Sequence, residues 1–473
     1  MRLVRGILPM ILGVSSVALA CSSSDDANTS ISPGLDAGDA APSPSPTSPD
    51  GEPPPPDAGT ADVEPAPIGL ASRQEVKCTE KPCYVAVSGI GSEHYCGLLD
   101  DGTVRCWGRD TRLRGETDPD TGAPVADGAL GRGSIVTVVE GATPAPVVGL
   151  SNVTQISVGA NLGTCALTSD GSVYCWGRNE FGQLGKPTSE VRVPVPAKVE
   201  GLPPISKIAL GSTLGCAIAK TDGALWCWGT QNGRTGPNLL TPAPGVPFAP
   251  QVMSSFRAPV KDITIGAVPG APGSNPNQPI PFQDTITALL DDGVLATVGE
   301  LPAGPVSFQE LYSPVPVEVA NVARIGTYGY LRSDGIAHRW VPTARALYVA
   351  NAGTIVDVAI AAGRVRGTGT DVNKLIVYAE QGGMLLGDGK LYRWGRNTAG
   401  ALGASPNVID LLEEPMDVSH VAGDKVVSFA MTTASTCVSL VDGKVKCWGS
   451  NQRGELGRGS VDFESHPEAE VIR

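Results

Sequence analysis

The sequence predicts an all-β protein built from repeats, and three observations lead to that prediction. An Asp-Gly dipeptide flanked by apolar residues recurs seven times, at intervals of 42 to 70 residues, with its aspartate at positions 101, 170, 222, 292, 334, 388 and 442. Glycine and proline contribute 59 and 41 of the 473 residues, above the typical usage of about 7% and 5%. The intervals contain no apolar stripe of helical period, which argues against parallel βαβ architectures.

Each Asp-Gly dipeptide predicts a tight β-hairpin, as residues 165–185 (CALTSDGSVYCWGRNEFGQLG) illustrate. Gly171 ends a type I turn in the left-handed conformation, which glycine adopts without steric cost. In that register Cys165 lies opposite Cys175 as a non-hydrogen-bonded pair, with Cα atoms about 4.5 Å apart. A disulfide accepts this separation. The spacing therefore predicts a cross-strand disulfide and not a metal site.

Three further hairpins carry the same arrangement of cysteines, one of them with an extra residue before the turn, where a β-bulge is expected. These pairs are Cys96 with Cys106, Cys437 with Cys447, and, with the extra residue, Cys216 with Cys227. The other three hairpins keep the turn and replace the cysteines by Thr287 and Thr297, Gly329 and Arg339, and Gly383 and Arg393. We expect a small local bridge between Cys78 and Cys83. Disulfides indicate an oxidising compartment.

Each repeat contains about four short strands, which is the content of one β-propeller blade. An apolar strand ending in glycine precedes most hairpins, as in residues 153–159, and a P-x-V stretch follows, as in 194–199. Seven such units predict a seven-bladed β-propeller of four-stranded antiparallel blades over residues 76–473. The final residues, 466–473, match the stretch that begins each unit. We therefore expect them to complete the first blade beside residues 84–89 and so close the ring.

The repeat resembles that of the regulator-of-chromosome-condensation family, whose members are seven-bladed propellers. Its pattern is roughly G-x-x-H-x-x-A-L-x-x-D-G-x-V-[YW]-x-W-G-x-N-x-x-G-Q-L-G. Residues 165–185 match it almost throughout, and residues 393–403 and 447–457 match its second half. The Gly-x-Leu-Gly tail is degraded at 113–116 and at 232–236, and it is absent after the fourth and fifth hairpins. The resemblance extends from about residue 78 to the C-terminus.

The first 75 residues predict export and a tether. Arg2 and Arg5 precede an apolar run that is too short to span a bilayer, so residues 1–20 are predicted to be a signal peptide. Cys21, left over from the predicted pairs, is followed by three serines as in a bacterial lipoprotein, and we expect it to be lipidated. The alternative is ordinary signal cleavage, because Ala18 replaces the leucine usual in a lipoprotein signal.

Residues 22–72 contain nine acidic residues, no basic residue and many prolines and serines. Such a composition buries too little apolar surface to fold. We therefore expect residues 21–75 to be a disordered tether that holds the propeller away from a membrane. The net charge of −13 and the absence of a basic stripe in the sequence argue against binding to nucleic acid.

The sequence shows no catalytic constellation, metal site or cofactor-binding motif. His94 occupies the position of the family's repeat histidine, which orients a loop, and the remaining histidines at 338, 420 and 466 lack ligand spacing. The segment DPDTG at 118–122 lacks the later ligands of a calcium loop. The seven aspartates of the Asp-Gly turns repeat with the fold and are predicted to be turn residues. The repeated tryptophans are predicted to pack between blades.

Three insertions distinguish this chain from a regular repeat array: residues 109–146, 268–283 and 364–373. Loops on a rigid scaffold commonly carry binding specificity, and neutral drift is the alternative. The first insertion contains three arginines that are candidates for contact with an anionic partner, with simple solvation as the alternative. They are Arg112, Arg114 and Arg132.

We therefore expect a non-catalytic, monomeric binding or scaffold propeller outside the cytoplasm. It would be lipid-anchored in a bacterial envelope, at the outer membrane or periplasmic face, or secreted, and would recognise a protein or surface glycan through loops on one face. One alternative is a glycan-processing enzyme with two carboxylates about 5–10 Å apart in the central funnel. The other, implied by the family resemblance, is an inhibitor of hydrolases, since some secreted bacterial relatives inhibit β-lactamases.

Overall fold

Six antiparallel sheets of four strands each form the blades of a β-propeller in the computed structural model of the protein. The structure describes residues 72–91, 94–110, 127–134, 136–230, 246–253, 256–269, 282–298, 317–326, 329–333, 337–339, 355–364, 378–409 and 411–472. These residues fall within one compact unit, Glu64–Arg473. The predicted all-β propeller with four-stranded antiparallel blades is confirmed.

Four consecutive strands form each blade, with the first strand innermost. Blade 1 consists of β1 (Tyr84–Ser88), β2 (His94–Leu99), β3 (Val104–Gly108) and β4 (Ala145–Pro146). Blade 2 consists of β5 (Val153–Val158), β6 (Gly163–Thr168), β7 (Val173–Arg178) and β8 (Arg192–Lys198). Blade 3 consists of β9 (Ile205–Leu210), β10 (Leu214–Ala219), β11 (Leu225–Gly229) and β12 (Phe248–Val252).

The second half of the chain repeats this order. Blade 4 consists of β13 (Val260–Pro269), β14 (Phe282–Leu290), β15 (Leu295–Val298) and β16 (Val317–Val319). A three-stranded sheet follows, with β17 (Val322–Gly326), β18 (Gly329–Arg332) and β19 (Ala337–Arg339). Blade 5 consists of β20 (Ile355–Arg364), β21 (Tyr378–Leu386), β22 (Leu391–Arg396) and β23 (Leu411–Asp417). Blade 6 consists of β24 (Val426–Met431), β25 (Ser435–Leu440), β26 (Val445–Ser450) and β27 (Ser465–Val471).

Helices are short and confined to loops in the part of the chain that the structure describes. They are α1 (Val138–Gly141), α2 (Ser419–Ala422) and a 3₁₀ turn at Thr398–Gly400. Within that part of the chain, no helix has the length and apolar character needed to cross a membrane.

The prediction of seven four-stranded blades is wrong, because the described residues form six sheets of four strands and one sheet of three. The fifth repeat forms the three-stranded sheet, in which Leu331 of β18 pairs with Ala337 of β19 across the Asp-Gly turn. Its described strands end at Arg339, and residues 340–354 lie outside the described residues. The periodic Asp-Gly signal marks a hairpin, and a hairpin alone does not specify a fourth strand.

The predicted closure by the C-terminal strand is also wrong. Strand β27 pairs with β26 of its own blade, with Cys447 opposite Glu470, and it does not pair with β1. The first and last blades are instead joined through main-chain contacts near their inner strands. The amide of Tyr84 donates to the carbonyl of Gly443 at 2.9 Å, and Ile90 forms a parallel bridge with Met431. The physical reason is that β27 satisfies the free edge of β26 within one blade.

The hairpins have the predicted geometry. In blade 2, Cys165 lies opposite Cys175, their Cα atoms are 4.1 Å apart, and Gly171 has a φ of 86°. The described residues form five disulfides: Cys78–Cys83, Cys96–Cys106, Cys165–Cys175, Cys216–Cys227 and Cys437–Cys447. The expected bulge before the turn of blade 3 is absent, because the ladder from Cys216 to Ile218 has no register shift. The extra residue there lengthens the turn.

The repeated tryptophans connect neighbouring blades, which explains the Gly-x-Leu-Gly tail of the repeat. Four of the described indoles donate to the carbonyl of the second tail residue in the preceding blade, at 2.8 to 3.0 Å, whereas that of Trp394 has no hydrogen-bond partner. The pairs are Trp107 with Glu455, Trp176 with Ala129, Trp228 with Gln183 and Trp448 with Ala401. The apolar core accordingly lies between blades, as where Trp176 packs with Leu130 and Val147 of blade 1.

Candidate binding face

The connections of the propeller divide between two faces. In an antiparallel blade, the loops from the first to the second strand and from the third to the fourth strand lie at the same end. The inner strands of neighbouring blades run parallel where they meet: Gln155 of β5 donates to Ile208 of β9, and two residues further Leu210 donates to Ser157, at 2.9 and 3.0 Å. The same ends of successive blades therefore lie on the same face of the propeller.

All three insertions lie on one face, which we call the insertion face. The first connects β3 to β4, the second β13 to β14, and the third β20 to β21. Each is thus a connection from a first to a second strand or from a third to a fourth. The structure describes the bases of these insertions, whereas residues 111–126, 270–281 and 365–377 lie outside the described residues. The Asp-Gly turns occupy the opposite face.

The sequence suggested that the insertions are loops. Two of them are instead extended hairpins at their bases. In blade 2 the inner pairing ends at Val158 opposite Thr164. In blade 4 it continues to Pro269 opposite Phe282, and in blade 5 to Arg364 opposite Tyr378. Each ribbon adds four residue pairs beyond the blade 2 end point, which extends it by about 13 Å.

The first insertion is mounted on a tight base. The amide of Asp127 donates to the carbonyl of Asp110 at 2.7 Å, so the chain leaves and returns at one point. Residues 128–131 (Gly-Ala-Leu-Gly) form the tail of the first repeat, with the amide of Leu130 donating to Oδ1 of Asp110 at 3.0 Å and Ala129 accepting from Trp176. The assignment of a degraded tail to 113–116 is therefore wrong, because the insertion precedes an intact tail.

Of the three arginine candidates, one is described and it serves the scaffold. The Arg132 guanidinium donates to the carbonyls of Glu140, Cys106 and Thr143 at 2.7 to 3.0 Å. It thereby ties the returning chain to β3 and to the helix α1. Arg112 and Arg114 lie outside the described residues, so partner contact through them stays a prediction.

The same face exposes large apolar side chains in connections between third and fourth strands. Phe463 is 85% exposed before β27, Val408 is 78% exposed before β23, and Val139 is 57% exposed in α1 before β4. Single exposed apolar residues are common on protein surfaces. These three lie on equivalent connections of three blades, so they add apolar surface to one face. The insertion face therefore combines two projecting ribbons, one anchored insertion and exposed apolar side chains.

A central channel of about 480 Å³ runs between the inner strands. Its walls are held together from blade to blade: Ser428 accepts from the amide of Val87 at 2.9 Å, and Ser88 from that of Val158 at 3.1 Å. Lys207 forms an ion pair with Asp262 across the channel wall. Asp262 is the single carboxylate among the described lining residues. These residues thus lack the pair of carboxylates that the glycan-processing alternative requires.

The predicted structural role of His94 fits its surroundings. Its side chain is fully buried, and Nε2 lies 2.9 Å from Thr164 Oγ1 of the next blade. Burial, together with the nearby charge of Arg109, lowers the pKa of His94 to about 3. A neutral, buried histidine that connects two blades has no access to a substrate.

The remaining candidates also lie in structural contacts. Six of the seven turn aspartates are described, and each accepts a hydrogen bond from the amide two residues later, as Asp170 does from Ser172 at 3.0 Å. His466 contacts Asp462 at 2.6 Å, and Arg458 binds the same carboxylate at 2.8 Å. This network folds the loop before β27. The segment 118–122 and the side chain of His338 lie outside the described residues.

The blades, their connecting tryptophans and the ring of inner strands define the protein as a β-propeller. Two models of the regulator of chromosome condensation (RCC1) repeat match the chain, one over residues 170–218 and 388–438 and the other over 84–112 and 153–183. The chain therefore carries RCC1 repeats, and the resemblance seen in the sequence is confirmed.

Individual relatives agree with this assignment. The ultraviolet-B receptor UVR8 of Arabidopsis thaliana is 24% identical over 400 residues, which cover 81% of each chain. An RCC1-like G exchanging factor-like protein of Mus musculus is 34% identical over 160 residues, covering 32% of this chain and 30% of the relative. The crystal structure of Prp20p from Saccharomyces cerevisiae superposes with a TM-score of 0.59 at 17% identity, covering 83% of this chain and 88% of that one. This structural likeness shows the fold alone.

Proposed function

We propose that the protein is a non-catalytic binding propeller that recognises a protein or a surface glycan through the insertion face. The observation that carries this proposal is the placement of all three insertions on one face, although they interrupt three different blades. Neutral drift has no reason to select one face. A common partner that covers the face does, because its contacts come from several loops on a rigid scaffold.

The chemistry of the scaffold supports binding over catalysis. Several buried ionisable groups hold neighbouring blades together. Asp284 of blade 4 accepts from the amides of Ser212, Thr213 and Leu214 of blade 3 at 2.7 to 2.9 Å, and burial raises its pKa. Proteins of this fold include one with binding properties toward Gsp1p and histones, namely Prp20p. The partner of this chain is set by its own insertions.

We further propose that the propeller acts outside the cytoplasm, lipid-anchored in a bacterial envelope. Five disulfides support an oxidising environment. In this proposal residues 1–20 direct export, Cys21 carries the lipid, and residues 21–75 are the tether of the propeller, residues 76–473. Metabolic labelling with an alkyne fatty acid tests the anchor: wild type should label, Cys21→Ser should not, and equal labelling of both contradicts lipidation.

A loop deletion tests the binding face. Residues 111–126 are replaced by Gly-Gly, which the adjacency of Asp110 and Asp127 permits. The deleted protein, wild type and a control altered on the opposite face (Lys220→Ala with Lys444→Ala) are coupled to resin and exposed to envelope extract of the source organism. Components captured by wild type and the control but lost by the deletion, at unchanged melting temperature, support the proposal.

Two results would contradict it. Identical capture by all three proteins places recognition away from the first insertion, and hydrolysis of a panel of envelope glycans by the purified propeller favours the enzyme alternative. A second variant, Phe463→Ser, extends the test to the exposed apolar part of the insertion face. Its capture should weaken while its stability is unchanged, because the side chain is 85% exposed.

A further inference from the structure

Asp110 occupies a position that asparagine holds in three other repeats. In blades 2, 5 and 6 the sequence Trp-Gly-x-Asn places Asn179, Asn397 and Asn451 directly after the third strand, and in blade 1 the same place holds Asp110. The substitution changes one amide nitrogen into an oxygen, so it leaves the shape and alters the hydrogen-bonding capacity. The surroundings of the three asparagines show what this position requires.

The asparagines serve the loop with both ends of the amide. Each oxygen accepts from the leucine amide of the following Gly-x-Leu-Gly tail, at 3.0, 2.8 and 3.3 Å in blades 2, 5 and 6. Each nitrogen donates to carbonyls of the same loop. Asn179 donates to Lys186, Pro187 and Glu190 at 3.0 to 3.2 Å, and Asn397 donates to Ala404 and Ile409 at 2.8 and 2.9 Å. The site therefore requires an acceptor and a donor.

Asp110 supplies the acceptor and, when ionised, lacks the donor. Oδ1 accepts from the amide of Leu130 at 3.0 Å, whereas Oδ2 is buried without a hydrogen-bond partner. The side chain is 3% exposed. A buried oxygen of an ionised carboxylate without a partner is costly. A protonated carboxyl lowers this cost because it carries no charge and offers an O–H donor in the place of the asparagine amide.

The charged groups around Asp110 do not offset the free-energy cost of ionising its buried carboxyl. Asp127, also fully buried, lies where the chain returns from the insertion and repels a second negative charge, and Arg192 is 3.8 Å from Asp127. Arg132 is attracted to Asp110, but its guanidinium already binds three carbonyls, and it also interacts with Glu140. Burial is the largest influence and raises the pKa of Asp110, the Leu130 amide lowers it, Asp127 raises it, and Arg132 and the Val136 amide lower it, which gives a net pKa of about 7.

We infer that Asp110 is a proton-dependent clamp on the base of the first insertion. In the protonated state Oδ2 is uncharged and carries a donor, as the amide nitrogens of blades 2, 5 and 6 do, so residues 127–131 should be held more firmly. In the ionised state the bond from the Leu130 amide persists, and a buried charged oxygen without a partner opposes the packing of residues 127–131. Because the folded-state pKa lies above that of a free carboxyl, the stability that the proton confers is present at acid pH and is lost as the pH rises through about 7.

The inference rests on the proposed function only for its consequence, namely that the pH sets how firmly the first insertion is presented to a partner. The test therefore measures anchoring and involves no partner. Hydrogen exchange of peptides that cover residues 127–134 is followed by mass spectrometry at pH 5.5 and pH 8.0 in the full chain, after correction for the intrinsic pH dependence of exchange. Wild type should exchange about tenfold faster at pH 8.0.

Two reciprocal variants decide the origin of that difference. Asp110→Asn supplies a permanent donor, so it should abolish the difference and leave exchange slow at both pH values. Asn179→Asp places the same carboxylate in blade 2 and should create an equivalent pH difference in peptides covering residues 180–186. Equal corrected rates in wild type at the two pH values, or a pH difference that survives in Asp110→Asn, would overturn the clamp.

Discussion

Blades 2 and 5 have the same strand order and the same hairpin register but stabilise that register by different means. In blade 2, Cys165 and Cys175 face each other and form a disulfide. In blade 5 the same pair of positions holds Gly383 and Arg393. The fold thus fixes which two positions face each other and allows different residue types to occupy them. Blade 5 has a buried arginine where blade 2 has a disulfide.

Arg393 is fully buried and bonded to neutral groups. Its guanidinium donates to the carbonyl of Gly382 and to Gln381 Oε1, both at 3.0 Å, and to the Thr436 hydroxyl of blade 6. Burial lowers its pKa to about 10. The disulfide ties one blade to itself, whereas the arginine ties blade 5 to blade 6. Blade 5 therefore depends more on its neighbour than blade 2 does.

The largest effect is expected from removing the arginine. Arg393→Ala should reduce the free energy of unfolding by about 4 kcal/mol, because it leaves a cavity and unpaired acceptors between two blades. Arg393→Met leaves the same acceptors unpaired but keeps most of the volume, so it should cost about 2 kcal/mol less than Arg393→Ala. Urea unfolding of both variants measures the difference. Equal losses would show that the charge, and not the volume, carries the contribution of Arg393.

The disulfide of blade 2 should contribute somewhat less. The double variant Cys165→Ala, Cys175→Ala opens a loop of about eleven residues and should lower stability by about 3 kcal/mol in the chain-entropy model. Melting temperatures of wild type with and without reductant, beside the double variant, test this value. If the double variant has the same melting temperature as oxidised wild type, the packing of the blade, and not the disulfide, fixes the register.

The hairpins were predictable from sequence because their signal is local. The Asp-Gly turn and the cysteine spacing fix the register within eleven residues, and Cys165 and Cys175 pair as that spacing requires. The closure of the ring depends on contacts between distant segments, which a local pattern does not reveal. The likeness of residues 466–473 to the stretch that begins each unit therefore led to a wrong prediction of their partner strand. The intact tail at 128–131 was missed because the insertion displaced it from its expected spacing. The sequence also contains Asp110 in place of asparagine, but only the buried surroundings show the consequence.

Blade 4 offers a way to transfer the device of blade 2. Thr287 faces Thr297 in the register of the cysteine pairs, and both side chains are buried. The double substitution Thr287→Cys, Thr297→Cys should form a disulfide and raise stability by about 2 kcal/mol, since engineered bonds deliver less than the chain-entropy value. Thiol titration of the unfolded protein counts the bond, and thermal unfolding measures its effect. A bond that forms without raising the melting temperature would show that blade 4 unfolds after the rest.

The smallest effect concerns acid stability at the junction of blades 1 and 2, where His94 meets Thr164. The pKa of His94 is lowered to about 3 in the folded protein, against about 6.5 when unfolded. Its stabilising contribution is therefore present above pH 6.5 and is lost as the pH falls from there toward 3. Replacing it by His94→Gln, which does not titrate, should remove on the order of 1 kcal/mol of this loss at pH 5. Urea unfolding at pH 5 and pH 7.5 measures the change. The pH dependence of this contribution has the opposite sign to that expected for Asp110 on the same blade. If the His94→Gln variant loses as much stability in acid as wild type does, groups other than His94 cause that loss.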